Sequence, residues 1–214
     1  SDVCSSDLYS VNDKLAVARL LDEYGVGFIE GGWPGALPKD TEFFQRAQTE
    51  LTLVNAQLVA FGATRKAGVA VEDDMQVRAL LDSQAPVITL VAKSDVRHVA
   101  EALRTTLDEN VSMVQDTVRF LVGEGRRVFV DMEHFFDGYK HDPDYGVRLL
   151  VAAAEAGASV GVLCDTNGGM LPHGLFEIVS DVKVRSGVRL GIHCQDDTGC
   201  AIANSVSAVE AGAT

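Results

Sequence analysis

Over Gly191–Asp197 the chain reads GIHCQDD, a short apolar run that ends in His193, Gln195 and then two acids. Residues i and i+2 of a strand point to the same face, so this imidazole and this amide reach into one space. The pair fits a metal site, one half of a metal site, or two polar residues closing a strand. Asp131 and Glu133, in VDMEH, alternate onto one face in the same way. Two close carboxylates either repel or orient a substrate, and a salt bridge to a neighbouring Arg or Lys is the structural alternative. Thr166 stands in DTNGG, where two glycines let the backbone approach closely and a threonine can serve as a turn cap. Arg65, Lys66 and Lys93 also follow or end apolar runs and could meet an anionic substrate, although exposed basic residues are mostly solvated.

One unit recurs around these residues: an amphipathic helix, a short break, then a β-branched run ending in polar residues. The first helix has Ser10 as N-cap, Asp13 three residues on as its capping-box partner, and Gly25 as C-terminal cap. Strands are expected to begin near Gly27, Gln57, Val87, Val128, Val160 and Arg189, at gaps of roughly 30 residues, the length of a βαβ unit. Alternating helix and strand predicts a parallel sheet. No GxGxxG follows an early strand, which argues against a doubly wound dinucleotide-binding sheet. Polar residues gather after all six strands: Glu30, Thr64–Arg65, Lys93–Ser94, Asp131–Glu133, Asp165–Asn167 and His193–Gln195. In a barrel these ends converge on one mouth. The expected fold class is therefore α/β, an incomplete (β/α)8 TIM barrel with strands 2–7 present and strands 1 and 8 missing.

Composition narrows the partners. The 214 residues, 47% of them hydrophobic, suit one domain. A net charge of −13, with only 18 scattered Lys and Arg, argues against a nucleic-acid face. No run approaches the roughly 18 apolar residues of a membrane span. The four cysteines form no CxxC pair, and Cys164 and Cys194 sit in apolar runs, so a reducing, cytoplasmic setting is expected. SDVCSSDL, residues 1–8, is polar and aperiodic and resembles adapter read-through, which leaves residues 9–214 as a partial catalytic domain.

Four stretches, in order, carry a family resemblance: FIEGGWPGALPKD (Phe28–Asp40), DMEHFFDGYK (Asp131–Lys140), LCDTNGGMLP (Leu163–Pro172) and GIHCQDDTGCAIANSVSAVEAGA (Gly191–Ala213). They resemble the citramalate synthase branch of the 2-isopropylmalate and homocitrate synthase superfamily, metal-dependent barrels related to HMG-CoA lyase. The resemblance implies an acyltransferase that condenses acetyl-CoA with pyruvate to citramalate and CoA, in branched-chain (isoleucine) amino-acid biosynthesis. It implies a divalent ion (Mg2+, Mn2+ or Zn2+) at His193 and Gln195, and a homodimer at full length. It gives Thr166 a hydrogen bond to the 2-oxo acid carboxylate and Glu133 a catalytic place in the pocket. Asp131 and Arg65 are the further substrate-binding candidates. The alternatives are a 2-isopropylmalate synthase, an aldol-type lyase of the same superfamily, or a barrel that binds a metabolite without turnover.

Three departures bear on these expectations. The first-strand motif, with its arginine and metal-binding aspartate, is absent, and the chain stops before an eighth strand, so the 214 residues alone are expected to be inactive. Gln195 stands at the second histidine of an H-x-H pair. Its amide oxygen suits Mg2+ or Mn2+ and is a poorer ligand than imidazole for softer metals.

Overall fold

The computed structural model describes residues 9–214, so the expectation for residues 1–8, Cys4 included, lies outside the described residues. Helix α1 (Val11–Tyr24) starts on the predicted capping box. Ser10 Oγ accepts the Asp13 N–H at 3.2 Å, and Asp13 Oδ2 accepts the Ser10 N–H at 2.8 Å. Gly25 ends the helix at φ 92°, a left-handed conformation that a Cβ disfavours.

The chain continues through β1 (Phe28–Glu30), α2 (Pro38–Glu50), β2 (Gln57–Ala63), α3 (Met75–Asp82), β3 (Val87–Lys93) and α4 (Leu107–Gly123). It ends with β4 (Arg127–Glu133), α5 (Phe135–His141), α6 (Pro143–Glu155), β5 (Val160–Asp165), α7 (Pro172–Ser186), β6 (Leu190–Cys194) and α8 (Ala201–Glu210). The six strands are parallel and lie in chain order, β1-β2-β3-β4-β5-β6. A doubly wound sheet would reverse its order at a switch point. Here each crossover moves one place along in the same sense, so the helices stay on one face and the sheet curls into an incomplete barrel wall.

Alternation along the strands sorts the two faces. Ile88, Leu90 and Ala92 of β3 and Val128, Val130 and Met132 of β4 are buried under helices that contribute Leu80, Val114, Val118, Leu149 and Leu150. Each such aliphatic side chain contributes about 1.5–3 kcal/mol by leaving water. The other face of the same strands carries Thr89, Val91 and Lys93 in register with Phe129, Asp131 and Glu133. Towards the strand N-termini, Phe28 and Phe129 meet edge to face at 5.1 Å, with the Arg127 guanidinium over both rings. The carboxylates Asp131 and Glu133 lie in the C-terminal half of this inner face.

Two local features shape the connections on either side of β4. The segment after β3 does not run as one helix. A turn at Val96–His98 passes into a π-helical stretch, Val99–Leu103. Arg104 then takes a left-handed conformation, and Thr106 caps α4 by accepting the Glu109 N–H at 3.1 Å. The second is the additional helix α5, immediately after β4. Gly138 lets it lie against the loop after β3, since a Cβ there would stand 2.6 Å from Ser94 O.

Candidate active site

Glu30, Asp131, Glu133, Cys164, Thr166, His193 and Gln195 line one cavity of 260 Å³, walled by Phe61 and Val91. Five of the six candidate residues therefore meet: Asp131, Glu133, Thr166, His193 and Gln195. Asp131 and Glu133 reach it from β4, Cys164 from β5 and His193 from β6, where Cys164 and His193 are register partners. Thr166 and Gln195 are two residues further on in each case, as the period of two requires.

The loops that carry Thr166 and Gln195 are tied to each other. The Asp165 carboxylate accepts the Gly169 and Met170 N–H groups at 3.2 and 3.0 Å, which folds DTNGG back on itself. Gly168, at φ 58°, leaves no room for a Cβ, which would stand 2.5 Å from Asp197 Oδ2. Thr198 Oγ1 donates to Gly168 O at 2.9 Å, and the Gln195 N–H donates to Asp165 O at 3.3 Å. Asp196 accepts the Ala201 N–H at 2.9 Å, so Asp196, rather than Asp197, caps the helix that follows.

Three carboxylates, Glu30, Asp131 and Glu133, line the cavity, and no lysine or arginine among the described residues does. Glu133 pairs with Lys93 across the β3–β4 register. Glu30 accepts a hydrogen bond from Thr89, and burial raises its carboxyl above the usual range. The Asp131 carboxyl is pushed up to about 7, first by burial and then by the charges of Glu30 and Glu133. Burial likewise lifts the Cys164 thiol well above its ordinary value, with Asp131 and Glu133 adding to the effect. Cys164 is thus a neutral thiol and a poor nucleophile. Ligand atoms of Asp131, Cys164 and His193 all lie within 4.8 Å of one another. That convergence of an imidazole, a carboxylate and surplus negative charge is one a divalent cation would relieve, so the residues present fit such an ion.

Arg65 stands apart from these five. Its guanidinium donates to Glu109 Oε1 and Asp116 Oδ2, each at 2.8 Å, and its side chain is 8% exposed. It does not line the 260 Å³ cavity; it lines a neighbouring one of 540 Å³. That cavity shares Phe61, Val91 and Glu133 with the first and continues past Trp33, Ala63, Leu103 and Met113. Trp33 is fixed there by its Nε1–H bond to Gln76 Oε1 at 2.8 Å. A larger open groove of 740 Å³, between residues 68–72 and α4, holds none of the central acids. Sequence reasoning treated Cys164 only as a small hydrophobe; its position two residues before Thr166 on one strand was the signal for a shared face.

Among the described residues no helix is long and apolar enough to cross a membrane. An HMGL-like family model matches residues 3–214. The chain is 64% identical over 205 residues to an (R)-citramalate synthase of Streptomyces coelicolor, a match covering 96% of this chain and 38% of that protein. An (R)-citramalate synthase of Aquifex aeolicus is 48% identical over 206 residues, covering 96% of this chain and 39% of that protein. The chain thus spans about two-fifths of the length of these relatives. Among solved structures, an HMG-CoA lyase of Bacillus subtilis superposes with a TM-score of 0.78 at 17% identity, covering 96% of this chain and 68% of that one. That likeness concerns the fold, and it agrees with the sequential parallel sheet. The family model matches residues 3–214 and the sequential parallel sheet agrees with it, so the chain belongs to the HMGL-like family.

Proposed function

We propose that this chain is part of the catalytic barrel of an acyltransferase that condenses acetyl-CoA with pyruvate and releases the thioester product by hydrolysis with one water, giving citramalate and free CoA. One observation carries the reading: an imidazole, an amide, two strand-end carboxylates and a threonine hydroxyl line a single 260 Å³ cavity, sized for a small acid. The similarity to (R)-citramalate synthases supports the choice of pyruvate as the acid.

In this reading His193 holds a divalent ion with Gln195, and Asp131 faces it. When bound, the ion polarises the carbonyl of the 2-oxo acid as a Lewis acid. Thr166 donates a hydrogen bond to the substrate carboxylate. Lys93 holds Glu133 at the wall common to both cavities. The 540 Å³ cavity takes the thioester arm, and Glu133 stands where the acetyl group would meet the keto acid. Phe61 and Val91 form the apolar part of that junction.

The test is thiol release by the full-length protein from acetyl-CoA in the presence of Mg2+ or Mn2+. Pyruvate is expected to support release, and a branched 2-oxo acid to be used at least tenfold less efficiently. Release with the branched acid but not with pyruvate would assign the chain to another branch. Cleavage of a 3-hydroxyacyl-CoA without condensation would make it a lyase.

A further inference from the structure

His134 ends β4 in a left-handed conformation, φ 56° and ψ 34°, one of three such non-glycine residues among those described. A side chain there is strained, and a β-branched one more so. The conformation turns the chain out of β4 and into α5, and at that turn the His134 N–H, in the peptide plane shared with Glu133, donates to Thr166 Oγ1 at 2.8 Å. A hydroxyl has one proton and two lone pairs. With one lone pair occupied by the His134 amide, the Thr166 proton is directed away from β4, and Thr166 lines the cavity.

The imidazole packs beside this turn without hydrogen-bonding through Nδ1. The ring lies edge to face on His98 with centroids 4.5 Å apart, and Nδ1 is buried without a hydrogen-bond partner, 3.7 Å from Asp137 Oδ2. The same Asp137 oxygen accepts from Asn167 Nδ2 at 2.7 Å. The residue after Thr166 is thus tied to the first turn of α5, while Thr166 is tied to the residue that opens it. β4 and β5 are thereby joined beyond their last register pair, Met132 with Leu163.

We propose that His134 is a positioning residue whose backbone N–H, held at the left-handed turn from β4 into α5, fixes the Thr166 hydroxyl as a one-directional donor to the carboxylate of the 2-oxo acid. This rests on the reading of Thr166 given above. The requirement is for a backbone conformation rather than for an imidazole, and that separates it from a structural role of the ring. Glycine adopts φ near +60° freely, whereas valine resists it.

In the full-length protein, His134→Gly is expected to keep the KM for pyruvate within threefold of the unsubstituted value. His134→Val is expected to raise it tenfold or more, with the KM for acetyl-CoA unchanged. Thr166→Val raises the pyruvate KM similarly, and adding His134→Val to it has no further effect, because the two act through one bond. Equal pyruvate KM values for the Gly and Val variants would overturn the proposal. So would a tenfold rise in His134→Gly by itself, or a parallel rise in the acetyl-CoA KM. If the unsubstituted protein releases no thiol from pyruvate, the proposed reaction falls. Hydrogen exchange at the residue-134 amide then decides the bond, slow in the unsubstituted protein and in Thr166→Ser and fast in Thr166→Val. Exchange unaffected by Thr166→Val overturns the inference.

Discussion

Replacing His193 by alanine is expected to lower thiol release from acetyl-CoA and pyruvate by at least a thousandfold and to weaken Mn2+ binding tenfold to a hundredfold. His193 is the imidazole whose ring reaches the cavity, and its ligand atom lies within 4.8 Å of those of Asp131 and Cys164. Without it, the remaining facing groups are an amide oxygen, a carboxylate crowded by two others, and a thiol held protonated by burial. None of these replaces an imidazole nitrogen donor. Lewis-acid polarisation of a carbonyl contributes several kcal/mol to the barrier, and about 4 kcal/mol corresponds to a thousandfold in rate. Activity measured at saturating Mn2+ separates the two losses. Recovery of full rate at high metal would show that His193 contributes affinity alone.

The second large effect is on stability and has the opposite sign to intuition. In metal-free protein, Asp131→Asn is expected to raise unfolding stability at pH 8 by on the order of 3 kcal/mol and to leave it nearly unchanged at pH 4. The folded state holds the Asp131 carboxyl at about 7, against an ordinary value of 3.8. Below pH 4 the group is protonated in both states and the variant gains nothing. As pH rises towards 7 the unfolded chain releases its proton while the folded chain retains it, so the unsubstituted protein loses stability across that window. The amide of the variant has no proton to lose and is exempt. The same variant is expected to bind Mn2+ less tightly, because the negative charge that destabilises the empty cavity is what a cation neutralises. A pH–stability profile identical in the two proteins would show that Asp131 ionises as freely folded as unfolded.

Much of the wall that positions these groups was legible in the sequence because period and punctuation are local. Ser10, Asp13 and Gly25 mark both ends of α1, and the six expected strand starts each fall within a residue of the observed ones. Two polar pairs land on the inner face through the period of two, Asp131 with Glu133 and His193 with Gln195. The period carries one residue past the strand ends, to Thr166 and Gln195, and no further. Arg65 lies two residues after β2, and its direction is set by Glu109 and Asp116, more than 40 residues away in the chain. The break at Arg104 and the helix after His134 depend on left-handed residues that are not glycine, and no residue type announces them. Cys164 reads as core in an apolar run. Only the curl of the sheet turns its face towards an acid-lined cavity.

Electron paramagnetic resonance of bound Mn2+, titrated with pyruvate, most directly tests whether a cation and a 2-oxo acid share the cavity between Asp131, Thr166 and His193. Pyruvate is expected to change the Mn2+ signal of the full-length protein, to need about tenfold higher concentration in Thr166→Val, and to have no effect in His193→Ala. A Mn2+ signal indifferent to pyruvate, and unchanged in His193→Ala, would place the ion elsewhere and contradict the account.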